Sequence, residues 1–228
     1  MFIPILSVVT AIFATLTILL RRKGKSFEGM LCKFISSFGF MSMAFIGFCY
    51  RIEEADKLVH PFYFCLVAFG LLFGLGGDVL LGIKEIAPNY KNKLIALGTF
   101  AFLIGHIFYL ASVYKAEPTF SIIPYIAAFV ITAIIAIIIK AGMMMLDSKM
   151  YFVCVFYFFV IALCACVSGY MLYLTRSLTF IITTIASVVF VISDSVLAFV
   201  YFTPVKRKNP LVTIELATYY PGQLLMAA

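Results

Sequence analysis

Long apolar runs decide what this chain can become. Spanning a hydrocarbon core about 30 Å thick takes about 20 apolar residues in a helix. Runs near that length occupy residues 2–20, 30–50, 61–82, 94–114, 121–139, 150–174, 177–203 and 211–228 of the 228-residue chain. Hydrophobic residues make up 64% of the sequence and charged residues 12%, against roughly 45–50% and about 25% in soluble domains. No water-soluble fold hides that much apolar surface, so lipid is the solvent. The runs are continuous rather than alternating segments of about ten residues, which excludes a barrel and leaves helices. The expected architecture is an all-α, polytopic membrane helix bundle of about eight transmembrane helices, a single domain over residues 1–228. Residues 1–20 lack the basic stretch of a signal peptide and continue as a full span, so they are expected to stay in the mature protein.

The formal charge of +7 does not indicate nucleic-acid binding, because the cations lie between apolar runs and not along one element. The breaks read RRKGK, RIEEADK, KEIAPNYKNK, KAEP, KAGMMMLDSK, a single Arg176 and PVKRKNP. Odd-numbered connections carry twelve Lys and Arg, even-numbered ones four. The positive-inside rule then places the odd connections in the cytoplasm and both termini outside. Cys32, Cys49, Cys65, Cys154, Cys164 and Cys166 all fall in or at the ends of apolar runs without CxxC spacing, as small core residues do.

Ionisable side chains inside spans are costly, by about 2.5–3.5 kcal/mol on insertion scales, and mark function. Lys33 and Glu215 are near enough to helix ends to snorkel. Asp78 in GLGGDVLLG, His106 in FLIGHIFY and Asp194 in VISDSVLAF are not. Each alone could be polar glue between helices; three together predict a pocket. Gly70, Gly74, Asp78 and Gly82 recur every four residues, placing Asp78 on a glycine seam. Thr183, Ser187, Asp194 and Ala198 form a similar stripe, Glu215, Tyr219 and Gln223 another, and His106 shares its face with Thr99 and Tyr109. At 1.5 Å per residue, Asp78 lies about 9 Å from Lys84, Asp194 about 15 Å from Pro204 and Glu215 about 8 Å from Pro210. All three would sit in the cytoplasmic half of the bilayer, with His106 closing the deep end. GGDVLL and ISDSVL, 116 residues apart, would fit a four-plus-four internal repeat, although so short a match arises by chance equally well.

Four segments together resemble the YhhN-like family of membrane proteins, whose characterised members are lysoplasmalogenases: GDVLL (77–81), FLIGHIFY (102–109), FVISDSVLAF (190–199) and TYYPGQLL (218–225). The resemblance implies hydrolysis of the vinyl ether bond of lysoplasmalogens to a fatty aldehyde and a glycerophospho-base. It also implies that Asp78 and Asp194 are the catalytic carboxyls. Enol ether cleavage needs one protonated carboxyl as acid and one ionised carboxyl to steady the cation or activate water, the division of labour glycosidases use. His106, Tyr109, Tyr219, Tyr220, Gln223 and Glu215 are candidates for binding substrate or orienting water, and Ser193 and Ser195 for setting Asp194. Neither serine has the strand-turn-helix setting of a nucleophile elbow. Lys84, Lys91, Lys93, Lys206, Arg207 and Lys208 could hold the lipid phosphate, though the positive-inside rule explains them more simply. Pro221 departs from the family pattern and would kink the last span, displacing Gln223.

No cofactor is expected, and the two histidines and two aspartates lack metal-ligand spacing; His60 reads as a solvated loop residue. The expected partners are a lysophospholipid, water and bilayer lipids. The alternative is a small proton-coupled transporter that uses the two aspartates as relays.

Overall fold

The computed structural model describes residues 2–54, 61–142, 148–203 and 208–227. Eight α-helices fill those stretches: α1 (Phe2–Arg22), α2 (Ser26–Glu54), α3 (Pro61–Ile83), α4 (Lys91–Ala116), α5 (Ile123–Gly142), α6 (Ser148–Thr175), α7 (Leu178–Phe202) and α8 (Lys208–Ala227). A single 3-10 turn, Pro88–Tyr90, leads into α4. Among the described residues, α1 to α7 are long and apolar enough to cross a membrane. Their exposed side chains are themselves apolar: Phe45, Ile134, Ile137 and Phe152 are all more than half exposed. A surface of that kind is stable only against lipid. The chain is an all-α polytopic membrane protein. Expected as an equivalent eighth span, α8 has the length but not the hydropathy. It carries Glu215, Thr218 and Gln223, and buries two of them, Glu215 and Gln223, on one face.

Two helix ends show how the sequence breaks its runs. Gly24, at φ 73°, closes α1: its N–H bonds the Arg21 carbonyl and the Lys25 N–H bonds the Leu20 carbonyl. Those two bonds make a Schellman cap, which needs a left-handed residue that glycine adopts without strain. Arg176, the weakest of the expected breaks, does separate α6 from α7, and does so at φ 53° with its N–H on the Leu172 carbonyl. An L-residue there costs about 1–2 kcal/mol. Arg176→Gly is therefore expected to raise stability by about 0.5–1 kcal/mol once glycine's extra unfolded-state entropy is subtracted, read as a higher melting temperature in detergent.

The helices gather into two compact units, Met1–Ala116 with Met226–Ala228, and Glu117–Leu225. In the first, each helix packs on the next in sequence. α3 meets α4 through glycine: the Tyr109 ring lies against Gly70, Phe102 fills the space over Gly77, and a Cβ on Gly105 would come within 2.9 Å of the Gly70 carbonyl. α2 and α3 run antiparallel, from Met30 against Gly82 to a parallel stack of Phe48 on Phe64 at 3.8 Å. In the second unit α6 lies between α5 and α7. Ser193 Oγ of α7 donates to the Glu215 carbonyl of α8 at 3.2 Å, and Gly222 lets α8 approach Phe190.

The expected glycine seam therefore divides. Gly70 faces α4, whereas Asp78 and Gly82 face α2. Pro221 lies within α8 on its exposed side and does not end it, contrary to the expected displacement of Gln223. Gln223 stays buried and its Nε2 donates to Tyr219 Oη at 2.9 Å.

Candidate functional site

In the first unit the chemistry centres on Asp78. One turn of α2 presents Lys33 and Ser37 on the same face, four residues apart. Lys33 Nζ lies 2.8 Å from Asp78 Oδ1, with the two side chains 4% and 1% exposed. Ser37 Oγ is 2.5 Å from Asp78 Oδ2 and 3.0 Å from its own-helix Lys33 carbonyl, so its single proton serves one acceptor at a time. Lys33 thus does not snorkel as its sequence position suggested. A carboxylate on the adjacent helix offers a closer partner than the interface, and a buried charge is tolerated when paired and hydrogen-bonded.

His106 points into the same unit from α4. Its Nδ1 bonds the Phe102 carbonyl at 2.9 Å, which fixes the proton on that nitrogen, since a carbonyl only accepts. Its ring sits edge-on to Tyr109 at 5.7 Å. Lys84, beyond the end of α3, is buried beside Glu85, with which it forms an ion pair. Burial pushes the Lys84 amine down to about 8, against the pull of Glu85, with Arg21 and Lys33 lowering it further. Burial works to raise the Glu85 carboxyl, but Lys84 outweighs it and holds it below its usual range. The native state thus releases the Lys84 proton near pH 8, while an unfolded lysine keeps it to about 10.4. Stability rises with pH wherever the unfolded chain binds more protons. Between pH 8 and 10 the melting temperature of the wild type is expected to climb relative to that of Lys84→Met, in which this difference vanishes.

In the second unit the centre is Asp194 on α7. The Tyr157 hydroxyl of α6 donates to Asp194 Oδ2. Tyr157 is buried within an aromatic run, Phe156 to Phe159, and nothing in the sequence separates it from its neighbours. Ser193, expected to set Asp194, instead ties α7 to α8 through the Glu215 carbonyl. Ser195 returns to its own helix, donating to the Val191 carbonyl at 2.6 Å. Glu215, Tyr219, Tyr220 and Gln223 are all buried on one face of α8, with Tyr219 edge-on to Phe190.

Of the eleven expected site residues, Asp78, Lys84, His106 and Tyr109 thus belong to the first unit and the other seven to the second. Lys91 and Lys93 are exposed. Lys206, Arg207 and His60 lie outside the described residues. The two units share a motif. In each, an aspartate on the third helix takes a hydroxyl from the second: Ser37 to Asp78 and Tyr157 to Asp194. Among the described residues no three His, Cys, Asp or Glu side chains gather as a metal would require.

Fold and polar sites together define an integral membrane protein with a buried aspartate cluster in each four-helix unit. The chain matches the YhhN family over residues 30–228 and belongs to that family. No curated protein and no solved structure matches it.

Proposed function

We propose that this protein is an intramembrane hydrolase that cleaves the vinyl ether bond of lysoplasmalogens, with Asp78 and Asp194 as catalytic carboxyls. The reading rests on family membership and on one observation above all. Two aspartates, 2% and 8% exposed, are buried in helices that should contain none, and each is held by a hydroxyl from the neighbouring helix.

The chemistry assigns the roles. Protonation of the outer vinyl carbon by a carboxylic acid converts the carbon–carbon double bond into an oxocarbenium ion. Water adds to the carbon bonded to oxygen, giving up a proton, and the resulting hemiacetal collapses to a fatty aldehyde and the glycerol hydroxyl. The net change is addition of one water. The donor must carry a proton and the acceptor a negative charge. Asp78, in an ion pair with Lys33, suits the acceptor role. So electrophilic a cation needs only a weak base to capture water, which an ammonium-bridged carboxylate still is. Asp194, which takes a hydrogen bond from the Tyr157 phenol, is assigned the donor role.

Purified protein in detergent, given a lysoplasmalogen, should release aldehyde in proportion to enzyme. A second reading, proton-coupled transport, draws on the Lys33–Asp78 pair, because an intramembrane ion pair can exchange a proton for its partner. Proton flux in liposomes without aldehyde release would decide for transport and against the hydrolase.

A further inference from the structure

We infer that a groove between α2 and α3 is the binding site for the single hydrocarbon chain of the lipid substrate; the identity of that lipid rests on the function proposed above. The groove encloses about 580 Å³ and is lined by Phe38, Met41, Phe45, Phe64, Ala68 and Leu72 among others. That volume lies within the range of about 300–1,000 Å³ typical of small-ligand sites. Its one hydroxyl, Ser42, is turned to its own backbone, donating to the Phe38 carbonyl at 2.9 Å. No polar group of a ligand is recognised there. Phe38, Phe45, Phe69 and Leu72 are each 46–59% exposed, so the groove opens sideways to the bilayer.

Its two ends differ, and that difference selects the occupant. The stack of Phe48 on Phe64 closes one end. At the other end, Phe38 adjoins Ser37 in the chain, and Leu72 precedes Asp78 by six residues, about 9 Å of helix. Beyond Asp78, by a further six residues, comes Lys84, near enough to Arg21 for the two cations to repel. Along α3 the order is therefore cation, carboxylate, apolar groove. A single-chain ether phospholipid has the same order: phosphate, ether, hydrocarbon. The lining spans nine residues on each helix, 38–46 and 64–72, a rise on the order of 12 Å. One chain crosses half of a hydrocarbon core, about 15 Å; with the ether at Asp78, about 9 Å before Leu72, the groove takes the distal part of a chain lying along the helices. Asp78 faces into the α2–α3 seam and the groove faces out of it. Ser37, which bonds Asp78, and Met41, which lines the groove, are one turn apart on α2, so the chain enters from the bilayer and the head turns inward along that turn.

Two measurements test this. Ala68, small and midway along the groove, tolerates a larger side chain because it faces lipid. Ala68→Phe should raise KM for a long-chain lysoplasmalogen about tenfold, by excluding roughly two methylenes, and leave kcat and the KM of a short-chain analogue unchanged. Equal effects on both chain lengths, or none, would overturn the groove. The chain has no tryptophan, so one introduced at the groove reports alone. Leu72→Trp should be quenched by a lysophospholipid brominated on its chain at a mole fraction at least about fivefold below that needed for Ile134→Trp. Ile134 is lipid-exposed and, like Leu72, eleven residues into its helix. Equal quenching would reduce the groove to ordinary bilayer contact. If the wild type cleaves no vinyl ether of any chain length, the hydrolase reading fails, and the quenching measurement alone decides the groove.

Discussion

Asp194→Asn is expected to lower aldehyde release by about a thousandfold, the middle of the range for losing a general acid, with little loss of stability. The amide oxygen still accepts the Tyr157 hydroxyl, so the α6–α7 contact survives. An amide, however, has no proton to give to carbon. Stability should change by less than about 1 kcal/mol, the scale of one altered hydrogen bond. Tyr157→Phe makes the complementary change: it leaves the carboxyl and removes its support, and should cost about tenfold in kcat with KM unaltered. Turnover of both variants, read beside their melting temperatures, separates chemistry from folding. Full activity in Asp194→Asn would remove this residue from the reaction.

The helices were legible because lipid leaves the backbone no choice. Each expected run lies within three or four residues of an observed helix end, even at Arg176, where one cation and a left-handed residue make the break. What the sequence could not convey is which neighbour a polar residue meets. A step of four residues turns a helix by about 400°, so a stripe at i, i+4, i+8 and i+12 drifts about 40° per step. Over Gly70 to Gly82 the drift reaches about 120°, enough to move the last members from α4 to α2. The seam was a correct pattern on a rotating surface. Tyr157 was invisible for a different reason: among Phe156, Phe158 and Phe159 its hydroxyl acquires meaning only from the α7 carboxyl beside it. Lys33 did leave a trace, since Ser37 follows it at helical spacing. The snorkelling rule prevailed because it requires no knowledge of the next helix.

The Lys33–Asp78 pair makes the first unit's aspartate a less simple probe than the second's. Asp78→Asn should abolish turnover, and it should also destabilise, because it leaves the Lys33 ammonium buried without its counter-charge. Breaking a buried pair from one side costs about 3–5 kcal/mol. Lys33→Met should cost as much, by stranding the carboxylate. The double variant, Lys33→Met with Asp78→Asn, leaves neither charge, and a thioether chain fills the volume of the lysine stem. It should fold within about 1–2 kcal/mol of the wild type, since exchanging a buried ion pair for neutral groups is often close to neutral. A double-mutant cycle, from unfolding in mixed micelles, would then return a coupling of several kcal/mol between positions 33 and 78. The double variant should nevertheless be inactive, because nothing remains to take the proton from water. A well-folded, inactive double variant assigns Asp78 to the reaction itself, whereas losses that simply add would mean that the 2.8 Å contact does not hold the two charges together in the membrane.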